Sequence, residues 1–161
     1  MTIAKVWNKV FNSEYDMSGK YSASDVALYL IQKCVEDGKP ISNLQLQKIL
    51  YYIQKYFLQE KKYALFSDDM EAWQFGPVVS EIYWRYCGFG SSEIFEVNDS
   101  KVTFENDEKK SIDSILEEKR AMKPWDLVGD THKEGKPWSI IYRNGRGNKQ
   151  VIPKGVIAQY G

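Results

Sequence analysis

The sequence is short of several things, and each shortage removes a class of protein. Of 161 residues only two are cysteine, Cys34 and Cys87. Two unclustered cysteines make no disulfide framework and point to a reducing, cytoplasmic setting. His132 is the sole histidine. Without a second one, and with both cysteines far from it, no metal site is expected, and no cofactor. No apolar stretch approaches the roughly 20 residues that cross a bilayer. The opening residues, Met1 to Trp7, lack the apolar run of a signal peptide. No repeat is visible, which sets solenoids aside. Gly145-Arg146-Gly147 lacks the strand–turn–helix setting and the lysine of a phosphate-binding loop. Net charge is zero, whereas a non-specific nucleic-acid binder needs a basic excess to neutralise phosphates.

What charge there is lies unevenly. Residues 1–62 carry +3, residues 63–119 carry −8 and residues 120–161 carry +5, so the basic tail is expected to fold back over the acidic middle. Apolar residues make up 43% of the chain and aromatics 14%, too many for a disordered protein. A chain of this length can bury about two-thirds of the surface its unfolded form exposes. Residues 1–21 read as a loosely attached lead-in, with Val6, Trp7, Val10 and Phe11 at helical spacing. Residues 22–161 read as one domain.

Periodicity makes that domain mainly α, an α+β fold with a small β-sheet or hairpin. A first helix is expected over 24–37, capped by Ser24 and ended by Gly38 and Pro40. Ser42-Asn43-Leu44-Gln45 is a capping-box pattern opening a second helix over 43–60. Its core stripe is Leu46, Ile49, Leu50, Ile53 and Phe57. A second stripe, Leu44, Lys48, Tyr51, Lys55 and Leu58, falls on the opposite side at 100° per residue. Such a helix is either central and covered twice, or open to a partner. In the second case Tyr51 would anchor the contact, while Lys48 and Lys55 steer an acidic protein. Residues 71–75 alternate as a strand, Gly76-Pro77 breaks it, and Pro77 suits the first position of a helix running to about Cys87. Residues 94–104 read as a hairpin, 107–120 as a helix and 124–128 as a helical turn. Residues 143–148 form a flexible basic loop, and the chain closes on a short helix or strand from Ile152.

Chemistry is thinly represented. His132 has only Asp130 and Glu134 nearby in sequence and no evident nucleophile. Asp68-Asp69 and Glu117-Glu118 sit in solvated contexts. The Gly38–Ser42 break, followed by a helix bearing Asn43, Gln47, Lys48 and Lys55, has the outline of a helix-turn-helix. A DNA-binding regulator and a hydrolase using His132 therefore stand as alternatives to a protein-binding role.

Three stretches taken together resemble a known family. The first is Ser42-Asn43-Leu44-Gln45-Leu46-Gln47-Lys48-Ile49-Leu50-Tyr51-Tyr52-Ile53-Gln54. The second is Glu71-Ala72-Trp73-Gln74-Phe75-Gly76-Pro77-Val78-Val79, continuing to Ile82-Tyr83. The third is Thr131-His132 followed by Gly135 and Pro137-Trp138. In order and spacing they resemble the Panacea family of SocA-like antitoxins, which includes phage-associated GepA-type proteins. The resemblance implies a non-enzymatic protein that holds a cognate toxin, encoded next door in a prophage or mobile element. It also implies possible delivery of that toxin to an ATP-driven unfoldase–protease. It carries no catalytic residue. Its motif positions, Gln47, Trp73, Gly76, Pro77, His132 and Trp138, are read chiefly as fold determinants.

Overall fold

The structure is a computed structural model and describes residues 14–161. The lead-in helix expected around residues 6–11 lies outside them. The chain is mainly helical with a small sheet, and its three longest helices begin at capping boxes, where side chains satisfy free N–H groups of the first turn. Helix α1 spans Ala23–Glu36 and is capped by Ser22 rather than Ser24, with Asp25 completing the box. Helix α2 spans Asn43–Tyr56 behind the expected Ser42–Gln45 box and continues into a π turn, Phe57–Lys61. Helix α3 is Ser80–Tyr86 and α4 is Asn106–Arg120, capped by a Glu105–Glu108 box. Two prolines at first helical positions open α5, Pro124–Thr131, and α6, Pro137–Tyr142. Helix α7, Lys154–Tyr160, closes the chain.

The sheet is antiparallel, in the order β2-β1-β3, from Met70–Trp73 (β1), Gly76–Val78 (β2) and Val151–Ile152 (β3). Pro77 is therefore a strand residue and not a helix start. It sits opposite Ala72 on the edge strand, where a missing N–H costs no ladder bond. Gly76 makes the preceding turn at φ +113, a conformation that side-chain-bearing residues rarely adopt.

The hairpin expected over 94–104 does not form. That segment is extended, anchored by the Ile94 N–H to the Ile41 carbonyl at 2.8 Å. Ile94 and Phe104 turn inward, while Phe95 and Val97 face solvent. Alternation alone made it look like two strands, but no partner strand is supplied. Residues 143–148 are tightly turned rather than loose, with the Gly147 N–H donating to the Tyr142 carbonyl at 2.9 Å.

Helix α2 is the axis of the fold. Helices α1, α3, α4 and α5 and strand β2 all pack on it. Ile49, Leu50, Ile53, Phe57 and Leu58 are fully enclosed. Residues 14–21, the last eight of the expected lead-in, are docked. Asp16 and Tyr21 form parallel bridges to Tyr63 and Phe66. Among the described residues, no helix is long and apolar enough to cross a membrane.

Candidate functional site

The three sequence stretches meet at one place, where the amino-terminal half of α2, the β1–β2 hairpin and the α5–α6 junction converge. Gln47 and Asn43, one turn apart on α2, fasten the hairpin's exit. The Gln47 Oε1 accepts the Val79 N–H at 2.9 Å, and its Nε2 donates to the Asn43 Oδ1 at 3.1 Å. Asn43 in turn donates to the Tyr83 carbonyl at 3.2 Å. From the other side, the Trp138 indole donates to the Trp73 carbonyl at 2.7 Å. Gln47, Trp138 and Trp73 thus act as positioning groups that hold the hairpin between two helices.

Lys48 is enclosed beneath this hairpin. It is fully covered, and its Nζ donates to the Pro77 carbonyl at 3.0 Å. Among the described residues no carboxylate pairs with it. Burial without a counter-charge pushes the ammonium down to about 7. Gly76 lies directly above. A Cβ there would stand 2.5 Å from the Lys48 Cε and 2.9 Å from the Thr131 Oγ1. Glycine at this turn is favoured by its φ, and its lack of a side chain leaves room for the lysine under it.

His132 packs flat on Trp138, ring centroids 3.6 Å apart and planes 2° from parallel. Its Nε2 is buried without a hydrogen-bond partner. Burial and the nearby Lys48 charge hold the imidazole below its ordinary value. Among the described residues no carboxylate orients the ring, so the arrangement of a base and its orienter is not present. Nor do His, Cys, Asp and Glu side chains gather there into a group able to hold a metal.

Above these buried groups opens a groove of about 400 Å³, walled by Leu44, Trp73, Phe75, Val78 and Tyr83. The Trp73 ring lies tilted against Tyr83, centroids 4.8 Å apart, and approaches Trp84 at 6.0 Å. Phe75, at the hairpin tip, meets Trp125 edge-on at 5.3 Å. Trp84 and Trp125 are each 62% exposed and Phe75 48%. Large aromatics left open together on one face are uncommon on a monomer's surface and mark a contact site.

The second stripe of α2 proves to be covered. Lys48, Tyr51 and Leu58 are buried within the domain, and Leu44 and Lys55 are half-buried. Nor do the five residues make one surface. Leu44 lines the aromatic groove, whereas Lys55 borders a separate polar recess with Tyr52, Asp130, Lys133 and Lys136. The helix-turn-helix outline also fails, because Asn43, Gln47 and Lys48 face inward and α2 is enclosed. Sequence reasoning missed Phe75, Tyr83, Trp84 and Trp125 as surface residues. Their only signal was the excess of aromatics, which does not say which of them stay outside.

Comparison with known proteins agrees with this convergence. Residues 46–139 match the family model described as the SocA-like antitoxin, Panacea domain. The chain is similar to antitoxin SocA of Caulobacter vibrioides (strain NA1000 / CB15N), 32% identical over 136 residues. These cover 78% of this chain and 72% of that protein. No solved structure matches it.

Proposed function

The chain belongs to the SocA-like antitoxin family that carries the Panacea domain, and from that premise we propose that it neutralises a cognate protein toxin by direct, non-enzymatic contact. The aromatic groove is the contact surface in this reading. Its main support is that the motif stretches spend their polar groups on holding one hairpin, which offers Phe75 beside Trp125 and Trp73 beside Trp84. Aromatic anchors of this kind carry most of the energy of a protein interface. The toxin is expected to be encoded beside the chain, and both to act in the cytoplasm.

Delivery of the bound toxin to an ATP-driven unfoldase–protease is a further step of the same reading. It differs from simple sequestration in one observable, the half-life of the toxin in cells that contain the chain.

Growth rescue tests the reading. Cells expressing the neighbouring toxin survive when the wild-type chain is co-expressed and the two proteins co-purify. Phe75→Ala combined with Trp125→Ala keeps its Tm within a few degrees, since both side chains are largely outside the core, and loses rescue. Full protection by that folded double variant would place the contact elsewhere.

A further inference from the structure

The groove has a chemical preference as well as a shape. None of its lining residues is acidic, while Lys149 stands at its rim and Lys48 lies under its floor. The Lys149 ammonium is held over the Trp73 ring, 5.1 Å from the centroid. Lys48 uses one of its three N–H bonds on the Pro77 carbonyl. Some of the described lysines have carboxylate partners, among them Lys154 with Asp69 at 3.1 Å, Lys20 with Glu105 at 2.8 Å and Lys133 with Asp130 at 2.6 Å. At this cavity two lysines converge, and among the described residues neither is paired with an acid.

A buried ammonium with no counter-charge is costly to the isolated chain, and a carboxylate brought near it would offset that cost. The chain's own acidic residues do not. Gly76 leaves room for the lysine end below it, since a Cβ at that position would stand 2.5 Å from the Lys48 Cε.

We propose that the groove binds an acidic-apolar segment of the protein partner, with an aspartate or glutamate carboxylate of that segment facing Lys149 at the rim and the Lys48 end of the floor. This rests on the reading of the groove as the toxin contact and specifies what it takes from the toxin. Aromatic walls at Trp73, Phe75 and Tyr83 receive the neighbouring apolar side chains. A nucleic acid is disfavoured, because its repeated phosphates need a basic track and the groove carries only these two lysines.

Panning a random peptide display library on the full chain provides a probe that does not depend on knowing the toxin. Enriched peptides are expected to carry Asp or Glu flanked by aromatic or aliphatic residues. The best of them, synthesised with its acid replaced by the amide, should bind about tenfold more weakly. Lys48→Met and, at the exposed rim, Lys149→Glu should weaken the acidic peptide and leave the amide version unchanged. No enrichment, enriched peptides without acids, or an acidic peptide indifferent to both substitutions would overturn the proposal. Loss of growth rescue with this peptide preference intact would instead count against the toxin-binding function alone.

Discussion

A lysine that hydrogen-bonds to a backbone carbonyl and to no acid is an expensive residue to enclose. Lys48 is that residue, and its energetics are open to direct measurement. Unfolded, it keeps its proton to about pH 10.4; folded, burial lowers it to about 7. Between those values the unfolded chain binds more protons, so stability rises with pH across that window. His132, which couples to Lys48 electrostatically, is itself pushed below its usual value and titrates beneath the window. Tyr51 and Tyr52 are pushed upward, chiefly by burial, and titrate above it. The Tm of the wild-type chain should therefore climb between pH 7 and pH 9. Lys48→Met should be more stable at pH 7, by about 1–3 kcal/mol, with that climb removed. A flat wild-type profile would mean that the ammonium is compensated in a way the geometry does not contain. The motif around Lys48 was legible in the sequence as a motif. Its meaning was not, because a lysine one turn into an amphipathic helix looks solvated until the strand that covers it is placed.

At the scale of elements, α2 carries most of what the sequence foretold and most of what it withheld. The Ser42–Gln45 capping box and the Leu46–Phe57 stripe are where periodicity put them. The second stripe was equally legible, but a helical period cannot tell a face covered by a neighbour from one open to solvent. That distinction comes from α5 and β2, which are short and lie far away in sequence. Tyr51 settles the matter: it is 4% exposed. Tyr51→Ala should destabilise the domain by about 3–5 kcal/mol in urea denaturation, and a fully stable variant would reopen the surface reading. The β elements were harder. Gly76-Pro77 reads equally well as the start of a helix, and only the pairing of Ala72 with Pro77 makes it a hairpin. Residues 94–104 had the alternation of strands without a partner to pair with.

For the molecule as a whole, the uneven charge laid along the chain becomes a set of cross-links. The basic tail does reach the acidic middle, through Lys154 to Asp69. At the other end, residues 14–21 are latched to α4 at Glu108, which is 3% exposed. Its carboxylate accepts from the Tyr21 hydroxyl at 2.6 Å, the Tyr63 hydroxyl at 2.7 Å and the Lys20 ammonium at 3.0 Å. Burial alone would raise this acid, but those donors outweigh it and hold it below its ordinary value. Its stabilisation is thus complete above about pH 4.5 and lost as pH falls through the lowered value. Glu108→Ala leaves two tyrosine hydroxyls without their acceptor and should cost about 1–3 kcal/mol. Limited proteolysis would then cut within residues 14–21, and an uncut variant would show that the bridges to Tyr63 and Phe66 hold the segment unaided.

Neutralisation of a toxin held at the aromatic groove is the role proposed for this domain. Amide hydrogen exchange of the chain, alone and in complex with the co-purified toxin, tests both halves of that proposal at once. The account predicts slowed exchange on complex formation across residues 43–48 and 73–79, with no change around Lys55, Lys119 and Lys133. Protection confined to that lysine-rich face, or no protection in a mixture where growth is nevertheless rescued, would contradict it.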